Sequence, residues 1–219
     1  MINHKLIKQS ENVLNLRYSN RLKKFGNDPR TLGWDNKSNQ RTRFKIAVES
    51  VNMKNFSILD VGCGLADFHD FLQDENINFS SYSGMDINSE LIDACREKNP
   101  SAKEFIVGNL LTRPIAPESY DIVTMFGLLN FKFKEFQNTS FAEEMIFKGF
   151  KLARHALVID MLSKKTDSQY PVEDFVHYYE PSKILDLALS LTPHVHMRHD
   201  YASIPQREFL MVLRKSPWK

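Results

Sequence analysis

The sequence has little cysteine and no long apolar segment, and both absences narrow what the protein can be. Its 219 residues include two cysteines, Cys63 and Cys95, which are too few for a disulfide framework or a cysteine-rich zinc site. No apolar run approaches the roughly 18 residues of a membrane span, and the mean hydropathy is -0.39. The first residues also lack the apolar stretch of a secretory signal. We therefore expect a cytoplasmic protein with no membrane partner.

What is present is the composition of a folded domain with an uneven distribution of charge. Hydrophobic residues make up 42% of the chain and charged residues 26%, which is ordinary for a globular protein. Residues 1–54 hold 12 Lys and Arg against 4 Asp and Glu, a charge of +8, whereas residues 55–219 carry −6. The basic first quarter fits an anionic partner such as nucleic acid, and it fits the solvated faces of two helices equally well.

Two helices are expected in this basic segment, which we interpret as an N-terminal helical lid over residues 1–54. The first is predicted roughly over 3–24 and the second over 38–52, where apolar residues recur at helical spacing. Glycine, proline, asparagine and aspartate between residues 26 and 33 predict a loop that joins them. The Ser38 hydroxyl is the expected N-cap of the second helix.

From residue 56 onward, short apolar strands alternate with helical segments. Strands are predicted at 58–61, 81–86, 105–108, 120–125 and 156–160, and helices at 66–74, 89–98 and 139–152. Such alternation predicts an α/β fold, namely a Rossmann-like three-layer sandwich with helices on both faces of a mostly parallel sheet.

The C-terminal part of the chain departs from this alternation. After a helix at 182–191, strands are predicted at 194–198 and 208–213, with a turn around Ile204 and Pro205 between them. That connection is too short for a parallel crossover, so the last two strands should pair antiparallel. The sheet is then expected to have seven strands.

A glycine-containing turn follows the first predicted strand. Gly62 and Gly64 precede a helix, where glycine lets the backbone approach a ligand and the helix N-terminus offers unpaired N–H groups. Asp86 ends the next strand, at the position of a carboxylate that binds ribose hydroxyls. Asp60 and Asp67 flank the turn, and two carboxylates would repel a dinucleotide pyrophosphate. A nucleoside with a cationic amine and no phosphate fits better, and S-adenosylmethionine is such a ligand.

Four segments of this region resemble the motifs of the class I S-adenosylmethionine-dependent methyltransferases. Residues 58–67 are similar to the first motif, with Ala66 where the family usually has a third glycine. The second, third and fourth motifs are resembled by residues 85–87, 108–110 and 120–127. Asn109 stands where many members of the family carry aspartate. The resemblance covers about residues 56–161 and implies a class I methyltransferase domain over residues 55–219.

The resemblance also implies which residues contact S-adenosylmethionine. The set combines the glycine turn with acidic and apolar side chains at the strand ends: Asp60, Gly62, Cys63, Gly64, Asp86, Ile87, Asn109, Leu110, Phe126 and Gly127. Asp60 is expected near the cofactor ammonium, Asp86 at the ribose hydroxyls and Asn109 at the adenine amino group. From the lid, Arg43 is expected to pair either with the cofactor carboxylate or with an acid at the surface. Gln40 would share its helical face.

The sequence shows no catalytic dyad, and methyl transfer needs a base only when the acceptor must lose a proton. Acceptor contacts are expected at the ends of the fourth and fifth strands and in the divergent segment that follows. His177, Tyr178 and Asp160 are the predicted catalytic residues, with His177 as the candidate base. Asn130 and Tyr179 are further candidates for contact with the acceptor.

The predicted acceptor is the oxygen or nitrogen atom of a small molecule, because the chain has room for only short additions to the core fold. RNA or another nucleic acid is the second hypothesis, based on the +8 segment. A non-catalytic cofactor-binding partner protein is the third. We expect no metal site, because strand alternation puts His194 and His196 on one face and His199 on the other. A monomer or a homodimer is expected.

Overall fold

The strands lie close to their predicted positions. In chain order they are β1 Ser57–Val61, β2 Ser81–Asp86, β3 Glu104–Val107, β4 Tyr120–Met125, β5 Ala153–Leu162, β6 Val195–Arg198 and β7 Glu208–Arg214. The computed structural model that shows them describes residues 4–100, 102–134, 136–166, 169, 172–201 and 207–217. The predicted turn around Ile204 and Pro205 lies outside the described residues.

All seven strands form one sheet, in the order β3-β2-β1-β4-β5-β7-β6. Strands β1 to β5 pair in parallel, and β7 runs antiparallel between β5 and β6. The predicted fold class, a Rossmann-like sheet with an antiparallel C-terminal pair, is confirmed. The chain leaves β1 toward β2 and β3 on one side and returns to β4 on the other. A crevice therefore forms at the carboxyl ends of β1 and β4, where such sheets bind ligands.

The helices also follow the predicted pattern. They are α1 His4–Phe25, α2 Lys37–Ser50, α3 Asp67–Asp74, α4 Ser89–Lys98, α5 Asn138–Leu152 and α6 Pro181–Leu191. The prediction that Ser38 caps α2 is wrong. Asn36 has extended backbone and accepts a hydrogen bond from the backbone N–H of Asn39 at 2.9 Å, so the helix begins one residue before Ser38.

Separate apolar clusters cover the two faces of the sheet. Leu59 and Val123 pack toward the face that carries α5 and α6, whereas Ile58 and Ile122 pack toward the face that carries α2, α3 and α4. All four of these side chains are fully buried. Burial on both faces explains why apolar residues are adjacent in β1 and β4 and do not alternate with polar ones at these positions. The strand ends that face the crevice are thus held on a rigid platform.

Helix α1 lies across the carboxyl ends of the strands. The side-chain amide of Asn88, just after β2, donates to the carbonyl oxygen of Asn15 and to the hydroxyl of Ser19, each at 3.1 Å. Arg21 donates to the carbonyl oxygen of Thr31 at 3.0 Å and so joins α1 to the loop that follows it. These contacts place the first helix over the crevice.

Candidate active site

A cavity of about 410 Å³ opens beneath α1 at the carboxyl ends of the strands. Its volume lies in the range of roughly 300–1,000 Å³ that is typical of small-molecule sites. Nine of the eleven residues predicted to contact the cofactor are on its wall: Arg43, Gly62, Gly64, Asp86, Ile87, Asn109, Leu110, Phe126 and Gly127. The crevice predicted from the strand order is therefore also the place where the predicted residues meet.

The glycine turn has no room for side chains. Gly62 has φ 73°, and a Cβ atom there would lie 2.8 Å from Cδ1 of Leu128. Gly64 has φ 55°, and its Cβ would lie 2.6 Å from Cδ1 of Leu32. The N–H of Gly62 donates to the carbonyl oxygen of Met85 at 2.7 Å, which ties the turn to β2. Glycine is needed here both for the left-handed backbone and for the close approach of neighbouring segments.

Ala66 occupies the position at which the resembling family usually has a third glycine. Its backbone is left-handed, with φ 57°, and its side chain is fully buried. For an L-residue this conformation costs about 1–2 kcal/mol relative to the right-handed region. The substitution of alanine for glycine therefore preserves the shape of the turn at a cost in folding stability.

Asp86 presents a carboxylate to the cavity from the end of β2. One oxygen accepts from the N–H of Gly64 at 3.1 Å and the other from the N–H of Asn88 at 2.9 Å. Burial raises the pKa of Asp86, although these hydrogen bonds counteract the rise. Burial and the charge of Asp86 raise the pKa of Tyr18, which lies on the cavity wall in α1. A carboxylate can accept about four hydrogen bonds in all, so Asp86 retains capacity toward a ligand diol.

Asn109 is held by α1. Its amide nitrogen donates to the Glu11 carboxylate at 2.8 Å, and its amide oxygen accepts from the N–H of Leu111 at 2.8 Å. The second hydrogen of the amide nitrogen remains able to donate to adenine. The contact between Asn109 and adenine stays a prediction. Sequence reasoning did not single out Glu11. The available signal was the spacing of wall residues 7, 11, 14 and 18, which places them on one face of α1.

Asp60 and Cys63, the other two predicted cofactor residues, lie behind the turn and not on the main wall. Both border an adjoining cavity of about 20 Å³. Asp60 accepts from the hydroxyls of Tyr82 and Thr124, each at 2.7 Å. Burial raises the pKa of Asp60 to about 6, although these two hydrogen bonds counteract the rise. Cys63 is a buried free cysteine, so the structure separates both side chains from the main cavity.

Arg43 is buried in an ion pair, which corrects the expectation of a surface partner. Its Nε donates to a carboxylate oxygen of Glu208 at 2.7 Å, and its Nε lies 3.4 Å from an Asp160 oxygen. The guanidinium also lies 4.2 Å from the ring centre of Trp34. Only 2% of the Arg43 side chain is exposed. Sequence reasoning missed Glu208, because no local pattern links two residues that are 165 positions apart.

Asp160 is fully buried and lies behind the cavity wall, so its predicted catalytic contact is not supported. One carboxylate oxygen accepts from the N–H of Gly127 at 2.5 Å. Burial and the neighbouring Glu208 raise the pKa of Asp160, whereas Arg43 counteracts the rise. Because Gly127 lines the cavity, Asp160 is a positioning residue for that stretch of wall.

His177 and Tyr178 also lie behind the wall, so the structure does not support catalytic roles for them. The backbone N–H of His177 donates to the carbonyl oxygen of Asn130 at 2.8 Å. The Tyr178 hydroxyl accepts from the backbone N–H of Glu173 at 3.0 Å. Burial lowers the pKa of His177. Asn130 and Glu173 are both on the wall, so the two predicted residues support the wall without forming it.

Beyond Gly127 the cavity continues into a region that we call the aromatic lobe. Its members are Phe131, Phe133, Phe136, Phe141, Met145 and Phe175. The rings of Phe133 and Phe136 are stacked with centroids 4.4 Å apart, and Phe141 meets Phe133 edge-on at 4.9 Å. The guanidinium of Arg17 in α1 lies 5.2 Å from the ring centre of Phe175. The cavity thus joins a polar part at the glycine turn to an apolar part after β4.

Part of the positive charge of residues 1–54 is paired within the fold. Arg41 contacts Asp74 and Glu75 at 2.7 and 2.8 Å, and Arg43 is paired as described above. Among the described residues, no group of three or more His, Cys, Asp or Glu side chains is arranged to hold a metal ion. None of the described helices is long and apolar enough to traverse a bilayer.

Comparison with known proteins agrees with this geometry. Residues 58–146 match the family described as Methyltransferase domain. No curated protein matches the chain.

Among solved structures, magnesium protoporphyrin IX methyltransferase from Synechocystis is 16% identical with a TM-score of 0.65, over 95% of this chain and 99% of that one. Phosphoethanolamine N-methyltransferase 1 from Haemonchus contortus is 12% identical with a TM-score of 0.71, over 99% of this chain and 50% of that one. A SAM-dependent methyltransferase from Aquifex aeolicus is 13% identical with a TM-score of 0.59, over 84% and 95%.

The strand order and the crevice between β1 and β4 define a Rossmann-like fold of the kind that binds nucleoside cofactors. Residues 58–146, the stretch that matches the Methyltransferase domain family, contain all four segments that resemble the class I S-adenosylmethionine-dependent methyltransferase motifs, in the expected order.

Proposed function

We propose that this enzyme transfers a methyl group from S-adenosylmethionine to an oxygen or nitrogen atom of a small molecule that binds in the same cavity. The observation that carries the proposal is the continuity of the cavity. It runs from the glycine turn and Asp86, past Gly127, into the aromatic lobe. One continuous cavity therefore offers a site for a nucleoside cofactor and a site for a second, smaller ligand beside it.

The residues on the polar side of the cavity fit the cofactor. Gly62 and Gly64 leave their backbone open to the methionine part, because neither has a side chain. Asp86 would accept the ribose hydroxyls, and Ile87 and Leu110 would contact the adenine. When bound, S-adenosylmethionine supplies an electrophilic methyl group that a lone pair of the acceptor attacks.

The chain contributes positioning and the exclusion of water. Helix α1 and Trp34 close the cavity over the strand ends, and the Asp160–Gly127 hydrogen bond fixes the backbone between the two sites. Holding two reacting centres at roughly 3 Å in a dry space supplies a large part of the rate enhancement in such reactions. An acceptor atom that loses no proton on methylation needs no general base in this arrangement.

The cofactor site is tested by calorimetric titration of the whole protein with S-adenosylhomocysteine. Asp86→Asn removes the charge that strengthens the ribose hydrogen bonds, worth about 1.5–3 kcal/mol, so Kd should rise about 10- to 100-fold. Asp93→Asn is the matched control, because Asp93 is 65% exposed on α4 and pairs with Arg96. Unchanged affinity in Asp86→Asn, or NADH binding in place of S-adenosylhomocysteine, would contradict the proposal.

The acceptor is tested by turnover with a methyl-labelled donor against a metabolite extract and against total RNA. We expect label in the small-molecule fraction, and Asp86→Asn should reduce it while Asp93→Asn should not. Label that appears on RNA alone would overturn the small-molecule acceptor and favour the basic N-terminal segment as a nucleic-acid surface. Cofactor binding with no label in either fraction would favour the non-catalytic hypothesis.

A further inference from the structure

This inference rests on the proposed function and names the class of its acceptor. We propose that the acceptor is an uncharged molecule whose body is an apolar, planar ring system, and that this ring binds in the aromatic lobe. Phosphorylated and zwitterionic metabolites are excluded by the same argument. The juxtaposition that supports it is a cluster of phenylalanine rings directly beyond Gly127 on the wall of the cofactor cavity.

The chemistry of the wall changes at Gly127. Of the described wall residues between 128 and 176, all except Asn130 and Glu173 are apolar. That stretch of wall contains no lysine or arginine. A phosphate or carboxylate placed there would lose its hydration without gaining a cationic partner from this stretch of wall, and burial of an unpaired charge is strongly unfavourable. The acceptor must therefore enter this region with an apolar part.

The two polar side chains of this wall do not form a site for an anion. The amide oxygen of Asn130 accepts from the N–H of Leu162 at 2.9 Å, so this side chain is anchored to β5. Glu173 carries a carboxylate, which would repel a phosphate. From α1, Arg17 also lines the cavity, and its guanidinium lies 5.2 Å from the ring centre of Phe175. An anion in the lobe would compete with that contact.

The rings are arranged to receive another ring. Phe131 and Phe133 meet edge-on with centroids 5.4 Å apart, and Phe133 and Phe136 stack at 4.4 Å. Phe133 is 8% exposed, whereas Phe131 and Phe136 are half-buried and offer ring surface to the cavity. Aromatic groups prefer offset-stacked or edge-to-face neighbours at such distances. A planar ring of the acceptor would add a further stacked or edge-on contact to this series. An aliphatic amine has no ring with which to make such a contact.

The experiment uses the whole protein saturated with S-adenosylhomocysteine and three probes: 2-naphthol, phosphoethanolamine and choline. Binding of each probe is measured by calorimetry and by ligand-observed NMR. We expect 2-naphthol to bind about tenfold or more tightly than either of the other two. Tighter binding of phosphoethanolamine would show that the lobe accepts anions and would overturn the inference. Tighter binding of choline would show that the rings act as a cation cage, which would also overturn it.

Variants locate the probe. Phe136→Ala and Phe131→Ala should each weaken 2-naphthol binding about tenfold or more while leaving the Kd for S-adenosylhomocysteine unchanged, which also shows that they fold. Phe147→Ala is the matched control, because Phe147 is 58% exposed on α5 and lies outside the cavity. If neither variant changes 2-naphthol binding, the inference fails and the proposed function stands. If S-adenosylhomocysteine itself does not bind, the proposed function fails.

Discussion

Asp60 allows a quantitative test of how burial changes the pKa of a carboxyl group behind the glycine turn. It is 3% exposed, and burial raises its pKa from 3.8 to about 6. At about 1.36 kcal/mol per pKa unit, this difference corresponds to about 3 kcal/mol of folding free energy. A carboxyl whose pKa is higher in the folded state stabilises the fold below the unfolded pKa, and that contribution is lost as pH rises through the folded pKa. Asp60 should therefore lower stability by about 3 kcal/mol between about pH 3 and pH 7.

Asp60→Asn isolates this effect, because asparagine does not titrate and still hydrogen-bonds to Tyr82 and Thr124. Urea unfolding of both proteins across this pH range gives the difference in free energy, wild type minus variant. We expect the difference to fall by about 3 kcal/mol as pH rises. A difference independent of pH would mean that Asp60 titrates normally and would refute the reasoning.

The remaining predictions concern the turn and the buried ion pair. Gly62→Ala should lower the free energy of unfolding by about 1–2 kcal/mol from backbone strain alone and weaken S-adenosylhomocysteine binding, both measurable by urea unfolding and calorimetry. Gly26→Ala is its control for binding, because Gly26 also has left-handed backbone, with φ 61°, but lies outside the cavity, so it should lose stability without losing affinity. Arg43→Met should cost about 3–5 kcal/mol in urea unfolding, because it leaves buried carboxylates without a cation. Glu208→Gln should cost less, since Asp160 still lies 3.4 Å from the guanidinium. A larger loss in Glu208→Gln than in Arg43→Met would show that the guanidinium is not the group that compensates these carboxylates.

The secondary structure was predictable because its signals are local. Strands 81–86 and 120–125 have the predicted bounds, since each is a short segment within an alternation of strands and helices. The start of α2 was missed by one residue, because Asn36 and Ser38 are both good caps and sequence alone does not choose between them. The spacing of the motifs also predicted that Gly62, Gly64 and Asp86 meet, because parallel strands end at the same edge of a sheet. All three lie on the wall of one cavity.

The acceptor side was harder to predict, for a physical reason. His177, Tyr178 and Asp160 have the chemistry of catalytic residues, yet none of them is among the residues that line the cavity. The Tyr178 hydroxyl and the Asp160 carboxylate instead accept hydrogen bonds from the backbone of wall residues. The residues that form the lobe are phenylalanines, which in a sequence cannot be distinguished from core residues. Whether a ring faces the core or a cavity depends on the path of the chain after β4, and no short pattern records that path.

The amino-acid sequence by itself determined the strand and helix pattern, the glycine turn and the carboxylate at the end of β2, because each depends on neighbours within a few residues. The tertiary structure decided which side chains line the cavity. It also decided that Arg43 pairs with Glu208 from the far end of the chain. These outcomes depend on packing between segments that are far apart in the sequence. A charge that this packing buries is unfavourable unless it is paired, so the partner comes from whichever segment lies beside it.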